Sequence, residues 1–326
     1  MTSGLRLIAA AVLMGAALAA VGHAAAQPYP SRPVRIIVPF PAGGPTDVQS
    51  RILAEKLSQR WQQQVIVDDR PGGNTIIGAV AVAKAVPDGY TLLMAIDSTL
   101  VMNQYLYATL PYDPLKDFAP ITRVVRGTSI LATDTATGPA TIKELIERAR
   151  AKPGTLSFGA GTITTQLAGE MFKQQLGLNI ITVPFKGSAP SVQALLAHDV
   201  SFIVDGLAPS VPHIKSGAFR ALAITGGHRV AALPGVPTLA EAADLPGFDI
   251  ATWQGLMAPA GTPAAVIAIL HDGLGRVLAL PEVTDKLATF GLTADPSKTP
   301  DEFAGFIRAE AERWAKVIPT AGIHLD

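Results

Sequence analysis

"VPFPAGGPTD", residues 38 to 47, reads as a strand running into a helix. Val34 to Phe40 is apolar and β-rich apart from Arg35, and Gly43 and Gly44 break the run. Thr46 and Asp47 are helix-capping residue types, and Val48, Ile52, Leu53 and Trp61 follow at roughly helical spacing. A glycine-rich turn between a strand and a helix offers unpaired backbone N–H groups at the positive end of the helix dipole, a place where proteins hold anions. The stretch therefore predicts an α/β fold, and it raises the question of which anion is held and whether chemistry is done on it.

Reading outward, strands and helices alternate, which argues for parallel α/β sheets. "VRIIVPF" is a strand and Thr46 to Trp61 a helix; "QVIVDD" is a strand followed by the turn "RPGGN"; Ile76 to Ala85 is helical and "YTLLMAI" is a strand. Thr141 opens a helix with Glu144 three positions on, a capping box. "TLSFGAGT" is a strand and turn before a helix over Thr165 to Leu176, "NIITVPF" a strand, and "GSAPSVQALLAH" a helix capped by Ser188. "VSFIVDG" and "FRALAIT" are strands, and helices start at Thr262–Pro263 and at Thr299–Pro300. Two breaks interrupt this order: "GTSILATDTATGPA", and the long Pro- and Gly-rich "LPGVPTLAEAADLPGFDIATWQG". They suggest one domain made from both ends of the chain with a second inserted in the middle, the boundaries being 27–128 with 252–326, and 129–251.

The 326 residues suit two ordinary domains, and the 48% hydrophobic content supplies a large core. Lys plus Arg and Asp plus Glu are 26 each, so no net field draws nucleic acid. With no Cys there is no disulfide, thiolate zinc site or Cys nucleophile. No G-x-S-x-G elbow, H-E-x-x-H or G-x-x-x-x-G-K-[ST] occurs. "FGAGTIT" mimics a dinucleotide fingerprint, but Thr164 stands where the third Gly belongs and Thr182 where an acidic residue belongs. No cofactor and no metal is expected. What remains is a second strand, glycine turn, hydroxyl and helix, with Thr162, Thr164 and Thr165 beside the helix start. Two such loops facing each other would suit one carboxylate, which accepts several hydrogen bonds. The rival is an exported hydrolase using the same cleft, for which His198, His213 and His228 lie in the second half.

The ordered segments "YPSRPVRIIVPFPAGGPTD", "RPGGNTIIGAVAVAKAVPDGYTLL", "LPYDPLKDFAPIT", "KPGTLSFGAG", "VPFKGSAPSVQALLAHDVSFIVDG", "GAFRALAIT", "LPGVPTLAEA" and "APAGTPAAV" resemble the Bug-type extracytoplasmic solute receptors, the binding subunits of tripartite tricarboxylate transporters. The resemblance covers nearly all of the chain after the leader. It implies a type II periplasmic binding protein fold, two α/β domains closing on a small ligand, with hinges near 126 to 132 and 248 to 254. It implies a non-enzymatic receptor for di- or tricarboxylates, acidic amino acids or aromatic acids, acting as a monomer. Its membrane partners would be a large multispanning permease and a small membrane subunit, unless the receptor serves sensing instead. By position, the implied ligand residues are Phe40, Pro41, Ala42, Gly43, Gly44, Thr46 and Asp47 in the first loop. In the second domain they are Ala160, Gly161, Thr162, Thr164, Thr165 and Gln166, with Lys186, Gly187 and Asp205 at neighbouring strand ends. Asp97 and Ser98 end "YTLLMAI" at the same cleft. Two positions depart from the family pattern. Asp97 stands where a small residue is usual, and Gln166 where His is common. Asp97 has three readings: a cap for the next turn, a partner for Arg126 or Lys186, or an acceptor for a donor on the ligand.

Arg6, the apolar stretch Leu7 to Val21, and "GHAAAQ" with Ala24 and Ala26 make a secretory signal over residues 1–26. Cleavage after Ala26 delivers a periplasmic protein beginning at Gln27, which intact-mass measurement of periplasmic protein tests; a mass retaining Met1 would refute it.

Overall fold

Residues 29–230 and 232–325 are described by the computed structural model, so the signal over 1–26 lies outside them. The strands are β1 (Val34–Val38), β2 (Val65–Asp69), β3 (Thr91–Ile96), β4 (Phe118–Gly127), β5 (Ser129–Asp134), β6 (Ser157–Ala160), β7 (Ile181–Pro184), β8 (Phe202–Gly206), β9 (Phe219–Ile224), β10 (Thr252–Pro259) and β11 (Leu292–Ala294). The helices are α1 (Pro45–Trp61), α2 (Ile76–Ala83), α3 (Asn103–Leu106), α4 (Ile142–Ala151), α5 (Ile163–Leu176), α6 (Ser188–Leu196), α7 (Leu207–Lys215), α8 (Leu239–Ala242), α9 (Ala264–Leu278), α10 (Pro281–Thr289) and α11 (Pro300–Ala321). A π-helical turn, Ser98–Met102, joins β3 to α3.

The strands form two sheets, in the orders β11-β4-β10-β3-β1-β2 and β7-β6-β8-β5-β9. β1 pairs in parallel with β2 and β3, whereas β10 is antiparallel to β3 and β4, and β5 is antiparallel to β8 and β9. The sheets are thus mixed rather than wholly parallel, because the strands on either side of a crossing enter from opposite ends. "GTSILATDTATGPA", read above as a break, contains β5, which runs between the central strand β8 and the edge strand β9 of the second sheet. β4 ends at Gly127 and β5 begins at Ser129, so a single residue, Thr128, separates the two sheets. The return passage is tied to it. Thr225 N donates to Ser129 O (2.9 Å), Ile250 N donates to Thr225 O (2.8 Å), and Thr225 Oγ1 donates to Ile250 O (2.7 Å).

Several helix starts follow sequence rules. Thr141 Oγ1 accepts from Glu144 N, and Thr299 Oγ1 from Glu302 N, each at 3.1 Å. α5 starts earlier than Thr165, at Ile163, because Thr162 is its cap. Ser188 is not the cap of α6: Gly187 is, and the Ser188 hydroxyl goes to Asp205. α7 escaped sequence reading because Pro209 and Pro212 lie within it. α8, inside the second break, has its own capping box from Thr238 and Glu241.

One continuous core spans both sheets. It includes Ile37, Leu93 and Trp253 from the first sheet, Phe158, Phe202 and Val204 from the second, and Phe303 and Trp314 of α11 between them. α11 reaches α5 directly, through the Gln174 amide and Thr320, whose hydroxyl lies 3.3 Å from Gln174 Oε1.

Two helical glycines separate packing from propensity. A Cβ at Gly169 in α5 would lie 2.2 Å from the Phe158 ring, which is buried and stacked on Phe202, whereas a Cβ at Gly275 in α9 meets open space. Gly169→Ala is expected to cost about 1–3 kcal/mol by overpacking, and Gly275→Ala to gain about 0.5–1 kcal/mol from helix propensity. Urea unfolding of both checks this, and equal effects would refute the packing assignment.

Candidate functional site

The first glycine loop leaves β1, and its turn is held by its own side chain. Gly43 adopts a left-handed φ of 80°, and its N–H donates to Asp47 Oδ2 at 2.7 Å. Asp47 is buried and also pairs with Arg51 at 2.6 Å, which in turn reaches Asp69 at 2.8 Å. Asp47 therefore closes the loop. α1 itself begins at Gly44, with no side-chain cap. Pro45 has no N–H and Val48 N bonds to Gly44 O at 3.0 Å, so Thr46 and Asp47 are left with N–H groups that no backbone carbonyl takes among the described residues. Phe40 is half-buried beside these groups, while Pro41, Ala42 and Gly43 are exposed.

The second glycine loop is arranged differently. Thr162 N donates to Thr165 Oγ1 at 3.0 Å and Thr165 N donates to Thr162 Oγ1 at 3.2 Å. The two hydroxyls expected at the ligand thus close a reciprocal cap on α5. Thr164, buried, donates its hydroxyl to Asp97 Oδ2 at 3.1 Å. Gly187 N donates to Gly161 O (3.1 Å), and Phe185 N to Ala160 O (2.8 Å), holding the start of α6 against this turn. A Cβ on Gly161 would come within 2.7 Å of the Gly187 and Ser188 backbone, which is why the position takes Gly. Gln166 is half-buried one turn into α5, and Lys186 is exposed with no ion-pair partner among the described residues. α6 also begins without a side-chain cap, and Pro190 lacks an N–H in its first turn. Asp205, fully buried, accepts from the Ser188 hydroxyl and from Gly206 N, and burial pushes its carboxyl above the usual carboxylate range against those two bonds.

Asp97 is the junction between the two halves. It is buried, it caps the π-helical turn by accepting from Ser98 N at 2.7 Å, and it takes the Thr164 hydroxyl from the other sheet's helix. Neither Arg126 nor Lys186 is its partner: Arg126 lies 3.8 Å from Asp249 and 4.0 Å from Asp295. Burial raises the Asp97 carboxyl to about 7, with nearby Glu310 adding to the rise and Ser98 N, the Thr164 hydroxyl and Trp253 N opposing it. Ser98, read above as a ligand residue, is fully buried, and two polar residues that sequence reading missed are Gln49, fully buried on α1, and Gln254, half-buried near the start of β10. Only their burial marks them, and a single chain does not display burial.

His213 packs its ring on Phe219 at 5.0 Å, and His198 sits at the end of α6 with a left-handed φ of 61°. Among the described residues no group of three or more His, Asp or Glu is arranged to hold a metal ion.

With this geometry in place, likeness to other proteins is informative. Residues 49–323 match the family described as "Tripartite tricarboxylate transporter family receptor". The chain is 36% identical over 319 residues to protein BugT of Bordetella pertussis, covering 96% of this chain and 97% of that one. Among solved structures it is similar to Rpa4515 of R. palustris with adipate, at a TM-score of 0.82 and 34% identity, over 91% of this chain and 99% of that one. It is also similar to MatC (Rpa3494) from Rhodopseudomonas palustris with bound malate, at a TM-score of 0.77 and 28% identity, over 89% and 100%. The two-sheet architecture is the periplasmic binding protein fold, as the sequence resemblance implied.

The buried Asp97 carboxyl makes a pH prediction. Well below pH 4 it is neutral in folded and unfolded chains alike. As pH rises, the unfolded chain ionises first and the folded one only near pH 7, so folding loses the difference on the way up. Asp97→Asn is therefore expected to melt higher than wild type at pH 8, the gap closing toward pH 4, by calorimetry across that range. A gap independent of pH would refute this.

Proposed function

Because the chain belongs to the tripartite tricarboxylate transporter receptor family, we propose that it captures a small carboxylate between its two sheets and delivers it to the membrane subunits of such a transporter. Members of this family are periplasmic binding proteins, and this chain is a solute receptor rather than an enzyme. The observation that carries the carboxylate reading is the uncapped start of α1, where the Thr46 and Asp47 N–H groups follow a glycine turn. A carboxylate is suited to such a place, since it accepts several hydrogen bonds and is favoured by the helix dipole. The adipate and malate carried by two similar solved structures support the same ligand class.

In this reading the first loop supplies Phe40, Pro41, Ala42, Gly43, Gly44 and Thr46, with Asp47 shaping it. The facing side supplies Ala160, Gly161, Gln166, Lys186 and Gly187. Thr162 and Thr165 contribute through the helix end that they cap, and Thr164, Asp97, Ser98 and Asp205 form the buried polar floor. Domain one comprises 27–128 and 252–326, and domain two 129–251. Closure turns about 126 to 132 and 248 to 254, where Thr225 holds both passages together. Full desolvation of a carboxylate is costly unless its lone pairs find donors, so the number of N–H groups reached sets affinity.

Calorimetric titration of the purified protein with adipate, malate and a wider carboxylate library tests the reading. A ligand is expected to bind, and Gly44→Val to weaken it by about 1 kcal/mol or more by blocking approach to the α1 N-terminus. Wild-type affinity in that variant would place the ligand elsewhere.

A further inference from the structure

Asp97 stands where a small residue is usual, and the structure uses it to join the two halves. It follows the last residue of β3 in the first sheet, whereas Thr164 lies in the first turn of α5, just after the glycine turn that ends β6 of the second sheet. Both side chains are buried, Asp97 at 1% exposure and Thr164 at 3%. Thr162 and Thr165, on either side, close the cap of α5 on themselves, while the Thr164 hydroxyl reaches across to the other half. The far end of α5 meets α11 through Gln174 and Thr320, exposed groups 3.3 Å apart. The buried bond therefore sits at the end of α5 that carries the second glycine loop.

The Thr164 hydroxyl lies 3.1 Å from Asp97 Oδ2 and 3.9 Å from Met102 Sδ, and it has one hydrogen to give. With Asp97 ionised, that hydrogen is spent on the carboxylate. With Asp97 neutral, the carboxyl O–H donates to Thr164 Oγ1 and the hydroxyl is free for Met102 Sδ. The other carboxyl oxygen accepts from Ser98 N at 2.7 Å in both forms. Charged groups on the surrounding elements do not neutralise the anion. Glu310 of α11 pairs with Arg313 at 3.2 Å and opposes ionisation of Asp97, while Glu312 of the same helix acts on Tyr105 of α3. Glu170 and Lys173 of α5 pair with each other at 2.9 Å. β3, β10, α2 and the π-helical turn carry no charged residue.

We infer that Asp97 is a positioning residue for ligand capture: bonded to Thr164, it draws the second glycine loop against the first sheet, and the cleft closes with uptake of one proton from solvent at this carboxyl. This rests on the closure reading above. The bond is made in the closed arrangement and lost when the halves part and water reaches the carboxyl, which then returns its proton to solvent. Burial sets the direction, holding the Asp97 carboxyl at about 7 in the closed arrangement, against about 4 for an aspartate in water. A ligand that bridges the halves and a proton that neutralises Asp97 favour the same arrangement, so each strengthens the binding of the other. Capture is therefore tighter on the acid side of neutrality, and release is easier above it. Asp97 does this through Thr164, without touching the ligand.

Titration calorimetry of the mature protein with adipate and with malate, at pH 6 and pH 8, tests this in wild type, Asp97→Asn, Thr164→Val and Thr164→Ser. X-ray scattering of the ligand-free proteins is measured at the same two pH values. Wild type is expected to bind whichever acid it takes about fivefold or more tightly at pH 6 than at pH 8. It is expected to take up a proton on binding near pH 7, read from the heat in buffers of different ionisation enthalpy. Asp97→Asn keeps an amide that bonds Thr164 without titrating, so its affinity is expected to change by less than about twofold. Thr164→Val is expected to weaken binding about fivefold at pH 6, and Thr164→Ser to restore it. Without ligand, wild type is expected to expand from pH 6 to pH 8 and Asp97→Asn to stay compact. The same pH dependence of binding in wild type and Asp97→Asn, or a Thr164→Ser protein as weak as Thr164→Val, would overturn the positioning role and leave the carboxylate reading standing. Should neither acid bind, the carboxylate reading loses its support, and scattering decides the role of Asp97: expansion shared by wild type and Asp97→Asn, or shown by neither, overturns it. An Asp97→Asn protein that fails to fold would overturn it too, by showing that the carboxyl serves the fold.

Discussion

The chain passes between its two sheets twice at one place, and the rest of the molecule is arranged around that junction. Thr128 alone separates β4 from β5, and the returning segment is hydrogen-bonded to the outgoing one through Thr225, Ser129 and Ile250. Gly127 shows how tightly the passages lie. A Cβ there would fall 2.3 Å from the Thr252 hydroxyl, and Leu292 closes the other side. Two sheets joined so narrowly can bring the carboxyl ends of their strands toward each other, and with them the starts of α1, α5 and α6. The placement of these helix starts follows from chain crossing as much as from any local motif.

A second contact spans the halves away from the junction. Asp97 takes a hydrogen bond from its own turn and another from Thr164, and the surrounding core of Trp253, Phe303 and Trp314 removes it from water. A buried carboxyl held by neutral donors is not compensated in charge, which is why its proton is bound more tightly than an exposed aspartate's. The contact that joins the two units is thus also the one whose charge state responds to pH near neutrality.

The helix starts differ in how their first N–H groups are satisfied. α5 is closed by its own threonines, and α4, α8 and α11 by Thr141, Thr238 and Thr299. α1 and α6 begin at glycines with no side-chain cap. α2, α7, α9 and α10 also start without a side-chain cap, so an open start frees N–H groups without by itself marking a ligand site.

Local chemistry made much of this legible beforehand. The strand-to-helix turns at Gly43–Gly44 and at Gly161, the capping of α4 and α11, and the family resemblance could all be read along the chain, because caps and glycine turns are decided within a few residues. Other features were decided only by tertiary structure. Thr162 and Thr165 looked like ligand groups, yet they bond each other, since the helix start satisfies its own N–H groups before any partner arrives. β5 hid in a Gly- and Thr-rich stretch because its strand character comes from the neighbours β8 and β9. Gln49 and Gln254 drew no reading from the sequence, because nothing in their spacing signals burial. Burial is a property of the assembled sheets, so only the fold could enclose Gln49 and leave its amide without a hydrogen-bond partner among the described residues.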